Sequence, residues 1–274
     1  MKIGIMQGRL LPKIKNQFQA FPGKNWQDEF IIASNISLDL IEFIFDIDDD
    51  IPNPLSTEQG ISNIKDIVHK SGVEVRSICA DYFMKFPFYN NENHNVINVM
   101  NKLIVSSNKI NVKEIVLPCI DSSSLNSDFK KSELIKNINS VKRLLEKHKV
   151  TLCIETDLSP DKNNDIISDI GSSFIKLNYD TGNSASLGYE AKDELLLNSN
   201  IISSYHIKDR KFNSHSVLLG EGDYDFDIFI DMVSKKIICP EYIIFQVFRD
   251  NEGIEIFKKQ LNWFNKKIIN LHSD

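Results

Sequence analysis

Four polar residues close or follow short apolar runs in the second half of the chain, and each is of a type that can ligate a metal ion. They are Glu155, Asp180, His206 and Gln246. Taken singly, a strand-end aspartate commonly caps a helix, and a histidine in an apolar run commonly forms hydrogen bonds within the core. At successive strand ends, however, the four side chains can converge on one point. Oxygen ligands with a single imidazole suit Mn²⁺, Mg²⁺, Co²⁺ or Zn²⁺, so the pattern predicts one divalent metal ion.

Short β-branched runs that alternate with longer helical segments must position these four residues. Eight runs are candidate strands, and most of them have the nearly continuous apolar character of parallel strands buried on both faces. They are Lys2–Met6, Asp39–Phe45, Val73–Cys79, Lys113–Leu117, Val150–Glu155, Phe174–Asp180, Ile201–Ile207 and Tyr242–Val247. Apolar period and flanking residues predict helices over Asn25–Ser34, Asn91–Asn108, Ser132–Lys149, Pro160–Gly171, Glu190–Asn198 and Phe226–Lys236, with two more after Ser56 and from Ile254. The spacing of Ser56 and Gln59 predicts a capping box at the helix that follows them.

Eight strand–helix units in 274 residues, without a linker or a break in composition, predict a single (β/α)8 TIM barrel domain over residues 1–274. A doubly wound open sheet is the alternative. It calls for a glycine-rich first turn, which Gly4 and Gly8 do not form. Closure of the barrel requires Lys2–Met6 to pair with Tyr242–Val247, because an unpaired edge would be a template for aggregation.

Composition excludes several classes of protein. The net charge is −6 and no basic stripe is present, which argues against a nucleic-acid partner. No apolar run approaches the roughly 18 residues needed to cross a membrane. The cysteines form no Cys-x-x-Cys pair and lie beside or within apolar runs, so we predict buried, reduced thiols and a cytoplasmic protein. They are Cys79, Cys119, Cys153 and Cys239.

Six motifs spread over nearly the whole chain resemble those of the xylose isomerase-like barrel superfamily, in its sugar-phosphate isomerase/epimerase branch. They are Lys2–Leu10, Ile41–Glu42, Ile154–Glu155, Asp180–Asn183, His206–Arg210 and Leu219–Phe226. The Asp-Thr-Gly-Asn, His-x-Lys-Asp and Gly-Glu-Gly motifs are weak singly but specific in this order. The resemblance implies a TIM barrel enzyme that uses a divalent metal ion to isomerise or epimerise a small sugar or sugar phosphate.

The resemblance also implies roles for the four strand-end residues. Glu155, Asp180, His206 and Gln246 take the metal-ligand positions, and Glu155 and Gln246 take the two catalytic positions. Gln246 departs from the family pattern, which has glutamate there. An amide can ligate a metal through its carbonyl oxygen but cannot shuttle a proton near neutral pH. Glu155 would then be the single base, and Glu221 or Glu42 could supply a second acid.

Seven further polar residues are candidates for holding the substrate, and four of them are basic and suited to an anion or a hydroxyl group. They are Arg9, Glu42, Asn183, Lys208, Arg210, Glu221 and Arg249. For the basic residues, ion pairs with neighbouring acids are the alternative.

The aromatic segment between Cys79 and Tyr89 can cover the barrel mouth, pack between helices or form a subunit contact. The last alternative would make the protein a homo-oligomer.

Several functions compete on this set of residues. The leading hypothesis is an isomerase or epimerase that removes a proton beside a carbonyl while a metal holds the enediolate oxygens. A metal-dependent dehydratase of an inosose-type ketone is one alternative. A catalytically silent sugar-binding barrel is another, and only Gln246 favours it. Apurinic-site endonucleases share the superfamily, but their zinc cluster needs many histidines, and only His206 falls on a predicted strand end.

Overall fold

Eight parallel strands form a closed barrel in the computed structural model, which describes residues 1–47, 52–90 and 95–271. The barrel strands are β1 (Lys2–Met6), β2 (Leu40–Ile44), β3 (Ser77–Cys79), β4 (Glu114–Cys119), β5 (Thr151–Thr156), β6 (Ile175–Asp180), β7 (Ile202–Ile207) and β10 (Tyr242–Phe245). Two short strands, β8 (Asp209–Arg210) and β9 (Ser216–Val217), form a separate antiparallel hairpin. This architecture confirms the predicted (β/α)8 fold.

Helices lie between consecutive barrel strands in the sequence. They are α1 (Trp26–Asn35), α2 (Glu58–Ser71), α3 (Tyr82–Lys85), α4 (Val96–Lys109), α5 (Asp128–His148), α6 (Pro160–Ile170), α7 (Thr181–Leu187), α8 (Ala191–Asn198), α9 (Phe226–Ser234) and α10 (Ile254–Leu271). The predicted helix Asn91–Asn108 starts outside the described residues, and its described part is α4. The short helices α3 and α7 were not predicted, because neither is long enough to show a helical period.

The first and last strands close the barrel. β1 pairs in parallel with β10, with Lys2 opposite Tyr242, and with β2, with Gly4 opposite Leu40. The predicted pairing of the two segments is therefore confirmed, and the open sheet is excluded. A Cβ atom on Gly4 would lie only 2.4 Å from Leu40 Cδ1, so glycine at this position leaves room for the larger side chain across the strand pair.

Helix caps explain why α2 and α5 begin at residues other than those predicted. The predicted capping box at Ser56 is wrong by one residue, because Thr57 is the N-cap of α2 and its Oγ1 accepts a hydrogen bond from Gly60 N at 3.0 Å. Ser56 ends a 3-10 turn instead. α5 begins earlier than its apolar period suggested, because Ser127 caps it and accepts a hydrogen bond from Lys130 N. A serine or threonine oxygen thus satisfies an otherwise unpaired amide in each case.

The aromatic residues after β3 pack mainly against one another. The centroid of the Tyr82 ring lies 5.1 Å from the centroid of the Phe83 ring and 4.9 Å from that of the Phe86 ring. The centroids of the Phe83 and Phe88 rings are 5.2 Å apart. Phe83 and Phe88 are almost fully buried. Packing within the segment therefore accounts for most of these rings, while Tyr82 and Phe86 also face the cavity described below.

Two further expectations bear on the class of protein. Among the described residues, no helix is long and apolar enough to cross a membrane. Cys79, Cys119 and Cys153 are buried free thiols as expected. Cys239 is an exposed free thiol, contrary to the prediction, because it lies in the turn after α9, where its Sγ contacts only the main-chain carbonyl of Lys236 among the described hydrogen bonds.

Candidate active site

A cavity of about 670 Å³ opens at the carboxyl ends of the barrel strands. Its wall includes Glu155 from β5, Lys208 from the end of β7 and Gln246 from the end of β10, all three predicted from the sequence. Gln19 and Asp81, which were not selected from the sequence, also belong to the polar part of the wall. Asp180 and His206 are buried beside these residues. The topology therefore brings the four strand-end residues together.

Glu155 is held in place by two asparagine amides. Asn183 Nδ2 donates to Glu155 Oε1 and Asn178 Nδ2 donates to Glu155 Oε2, both at 2.8 Å. The carboxylate is nearly buried, yet it forms part of the cavity wall. His206 Nδ1 lies 3.3 Å from Oε2. A carboxylate fixed in this way has little conformational freedom to lose when it contacts a ligand.

His206 lies between two carboxylates. Its Nε2 is 2.8 Å from Glu42 Oε1, and its Nδ1 faces Glu155. Burial alone would lower the pKa of the imidazole, but the charges and hydrogen bonds of Glu42 and Glu155 outweigh burial and raise the pKa to about 10. A metal ion at Nδ1 would have to displace this proton. Glu42, predicted to bind substrate, is fully buried behind the imidazole, where it fixes the ring orientation.

Asp180 has a different partner on each oxygen. Oδ1 caps α7 by accepting hydrogen bonds from Gly182 N at 2.8 Å and Asn183 N at 2.9 Å. Oδ2 lies 2.8 Å from Lys208 Nζ, an ion pair in which the ammonium is not aligned as a hydrogen-bond donor. Burial would raise the pKa of this carboxyl, but the charges of Lys208 and His206 hold the pKa below its ordinary value.

A chain of side-chain hydrogen bonds runs across the cavity wall from Lys208. Its Nζ donates to Gln246 Oε1 at 2.9 Å, and Gln246 Nε2 donates to Gln19 Oε1 at 3.0 Å. Gln19 Nε2 donates to Asp81 Oδ2 at 2.8 Å, and the Cys79 thiol donates to Asp81 Oδ1. Burial, together with the nearby charges of two other acids, raises the pKa of Asp81 to about 6. The cavity thus holds a carboxyl group that titrates near neutrality.

The donor set fits a divalent metal ion. Glu155, Asp180 and His206 each offer one ligand atom, and these atoms lie within 4.8 Å of one another. Asp180 Oδ2 is buried without a hydrogen bond from the described residues, which leaves a lone pair for an ion. Two carboxylates and an imidazole are ligands for Mn²⁺, Co²⁺ or Zn²⁺. Gln246, the expected fourth ligand, has its carbonyl oxygen on the Lys208 ammonium.

Two of the predicted substrate-binding arginines contact the loop after β1. Arg9 donates to Gln19 Oε1 at 3.0 Å, and Arg249 donates to the carbonyls of Gly8, at 2.5 Å, and Leu11. Burial, and to a smaller extent the charge of Arg249, lower the pKa of the Arg9 guanidinium to about 10. Both guanidinium groups thus help to fix the loop that carries Gln19, and their contact with substrate stays a prediction.

Arg210 and Glu221, the last two predicted substrate-binding residues, do not line the cavity in the described part of the chain. Arg210 Nη1 donates to Asn183 Oδ1 at 3.2 Å, so it supports the asparagine that holds Glu155. Glu221 is exposed, and it does not belong to the cavity wall in the part of the chain that the structure describes. Its loop wraps around Asp209, which accepts hydrogen bonds from the amides of Gly220 and Gly222.

Three site residues were missed by the sequence analysis. Asn178 was detectable, since it lies two positions before Asp180 and side chains two apart on a strand share a face. Gln19 and Asp81 lie in loops and carry no periodic pattern. Their position in the wall depends on how those loops fold over the barrel, so no local signal in the sequence marks them.

Comparisons with known proteins agree with the fold. The chain matches the IolI protein with a bound zinc atom at 14% identity over 98% of both chains, with a TM-score of 0.75. It matches 3-keto-D-glucoside 4-epimerase from E. coli at 14% identity, with a TM-score of 0.72, over 97% of this chain and 99% of that one. D-allulose 3-epimerase from Methylomonas sp., in complex with D-allulose, matches at 11% identity over 97% of both chains, with a TM-score of 0.74.

Sequence comparison assigns the family. No curated protein sequence matches the chain. The xylose isomerase-like TIM barrel family matches residues 30–267, which is most of the chain and includes the ends of β2, β5, β6, β7 and β10. By this match, the protein belongs to the xylose isomerase-like TIM barrel family.

Proposed function

We propose that this protein is a metal-dependent isomerase or epimerase that acts on a small sugar or sugar phosphate, with Glu155 as the base. The observation that carries the proposal is the Glu155 carboxylate, which reaches the cavity wall while two amides hold it beside His206. A cavity of about 670 Å³ can enclose a monosaccharide or its phosphate. Relatives in fold support the sugar class, since several are named as sugar epimerases.

Glu155, Asp180 and His206 are the residues that would hold the metal ion. When bound, a divalent ion supplies Lewis acidity that makes a carbon beside a carbonyl group easier to deprotonate. The IolI protein, one of the relatives in fold, is described with a bound zinc atom, which supports an ion at this site.

The chain's own residues perform the proton transfer. In an isomerisation, Glu155 takes a proton from the carbon beside the substrate carbonyl and returns it to the carbonyl carbon, while the proton of the substrate hydroxyl passes to the carbonyl oxygen. Asn178 and Asn183 keep the carboxylate aimed at the cavity. Lys208 carries a positive charge into the same wall and can meet a substrate oxygen. Gln246 cannot accept a proton, so the site favours reactions that need one base, such as aldose–ketose isomerisation.

Solvent exchange tests the proposal. We expect the wild-type protein, supplied with Mn²⁺, to exchange one carbon-bound hydrogen with deuterated water in at least one sugar of a panel of D-fructose, D-tagatose, D-allulose and their phosphates. Glu155→Gln should slow this exchange by about 10²–10⁴-fold, the usual contribution of a general base. Glu146→Gln, on the exposed face of α5, is the matched control and should leave the exchange rate unchanged.

Two results would contradict the proposal. One is a Glu155→Gln protein that exchanges as fast as the wild type. The other is a wild-type protein that binds a sugar of the panel without exchanging any hydrogen. The second result would instead favour a silent sugar-binding barrel, for which the amide at position 246 and its contact with Lys208 are the supporting observations.

A further inference from the structure

Lys208 lies among the residues that would hold the metal. Its ammonium is 2.8 Å from Asp180 Oδ2 and 2.9 Å from Gln246 Oε1, and the side chain is largely buried. Asp180 and Gln246 occupy two of the four positions at which the family pattern places metal ligands. Both are thus in contact with the Lys208 ammonium.

The position of Lys208 is fixed by its surroundings. Its main-chain amide donates to Thr181 Oγ1 at 2.9 Å, and the Thr181 hydroxyl donates to the main-chain carbonyl of Lys208 at 2.5 Å. The aliphatic part of the side chain crosses Gly182, where a Cβ atom would lie 2.8 Å from both Cγ and Cε of Lys208. The ammonium therefore has a defined place and is not a flexible surface charge.

Charge makes this arrangement unfavourable for a second cation. Asp180 already neutralises Lys208, and Gln246 contributes no negative charge where a glutamate would. A divalent ion held by Glu155, Asp180 and His206 would be close to this ammonium. All four side chains are largely buried, so repulsion between the like charges would be weakly screened. The ion would also have to draw Asp180 Oδ2 and Gln246 Oε1 away from Lys208.

We propose that Lys208 is an internal counter-cation that competes with the divalent ion for Asp180 and Gln246 and so keeps the metal affinity of the site low. The inference rests on the metal site of the proposed function. It assigns to this lysine a role in setting metal affinity, which differs from contact with the substrate.

Metal titration of the purified, chelator-treated full chain tests the inference. We expect Lys208→Met to bind Mn²⁺ about 10- to 100-fold more tightly than the wild type in isothermal titration calorimetry, the range over which groups next to the ligands tune metal affinity. Lys208→Gln removes the charge but keeps a hydrogen-bonding group, and it should tighten binding in the same direction. Lys85→Met, at the exposed rim of the same cavity, is the matched control and should bind as the wild type does.

A second measurement separates competition from misfolding. Thermal unfolding of each variant should show a larger rise in Tm on addition of Mn²⁺ for Lys208→Met than for the wild type, because stabilisation by a ligand grows with its affinity. Equal or weaker Mn²⁺ binding by both folded Lys208 variants would overturn the inference while leaving the metal site intact. Absence of Mn²⁺ binding in the wild type and in every variant, including Lys208→Met with Gln246→Glu, would overturn the metal site itself and the inference with it.

Discussion

The imidazole of His206 takes its properties from two carboxylates on other strands. Glu155 on β5 lies at Nδ1 and Glu42 on β2 lies at Nε2. A carboxylate behind a ligating histidine fixes the ring and strengthens its remaining nitrogen as a metal ligand. The charge of Glu42 is therefore expected to affect metal binding through His206.

The first prediction concerns Glu42→Gln. The glutamine carbonyl can still accept a hydrogen bond from His206 Nε2, so the change removes mainly the charge. We expect Mn²⁺ affinity to fall by about 10- to 100-fold, because the imidazole becomes a weaker ligand. Equilibrium dialysis measures the change, with Glu146→Gln as a control that should bind Mn²⁺ normally. An unchanged affinity would show that Glu42 is only a structural partner of the ring.

The second prediction concerns the pH dependence of stability at Asp81. The folded pKa of about 6 lies above the ordinary value of 3.8, because the side chain is enclosed and faces the charges of Asp46 and Glu155, although Gln19 and Cys79 donate to it. The folded protein thus keeps this proton to higher pH than the unfolded chain. The stabilisation from Asp81 is therefore complete below about pH 4 and is lost as pH rises through 6.

Asp81→Asn tests this sign, because asparagine stays neutral and still offers a carbonyl oxygen to Gln19. We expect the Tm of the variant to rise relative to the wild type as the pH is raised from 4.5 to 7.5. Differential scanning calorimetry at several pH values measures the difference. A difference in Tm that does not vary with pH would contradict the assigned pKa.

The short helix α7 contacts several of the side chains that form the site. Asp180 caps its first turn, Gly182 passes Lys208, and Asn183 reaches back to Glu155. One turn of helix therefore positions Asp180, which we propose as a metal ligand, packs against Lys208, and supplies the amide that holds Glu155, which we propose as the base. Asp180, Gly182 and Asn183 thus each contact a different part of the site.

We predict that Gly182→Ala lowers the stability of the folded protein. A Cβ atom would lie 2.8 Å from two carbons of Lys208, and overpacking of this kind costs roughly 1–3 kcal/mol. Urea unfolding in the presence of a chelator measures the loss. The same change made in Lys208→Ala should cost less, since the two closest carbons are gone and only Cβ, at 3.1 Å, remains. A cost that is undiminished in the double variant would place the clash elsewhere.

Side-chain contacts of Arg249 reinforce the closure of the barrel. β1 and β10 pair as the first and last strands, and Arg249 lies in the segment between β10 and α10. Its guanidinium donates to the carbonyls of Gly8 and Leu11 in the segment after β1. The two ends of the barrel sheet are thus joined by side-chain contacts as well as by strand pairing.

We predict that Arg249→Met lowers the free energy of unfolding by roughly 1.5–3 kcal/mol, the usual value for hydrogen bonds to a charged group. The midpoint of urea unfolding should fall without a change in its slope, because the folded and unfolded surfaces stay similar. Arg143→Met, on an exposed position of α5, should change stability by less than about 0.5 kcal/mol. Equal midpoints for wild type and Arg249→Met would show that strand pairing alone closes the barrel.

The barrel and the set of strand-end residues could be predicted from the sequence. Strands buried on both faces show as apolar runs, and parallel strands must present their carboxyl ends at one edge, so Glu155, Asp180, His206 and Gln246 could be placed together without a structure. The same reasoning could have added Asn178, which shares a strand face with Asp180.

The contacts between these side chains, in contrast, could not be predicted from the sequence. Glu42 meets His206 across the barrel interior, between strands that are not neighbours in the sheet. Lys208 meets Asp180 and Gln246, and Asp81 meets Gln19, through loops and strand ends far apart in the sequence. Such contacts depend on barrel curvature and loop packing, which many residues determine jointly, so no local pattern of residues encodes them.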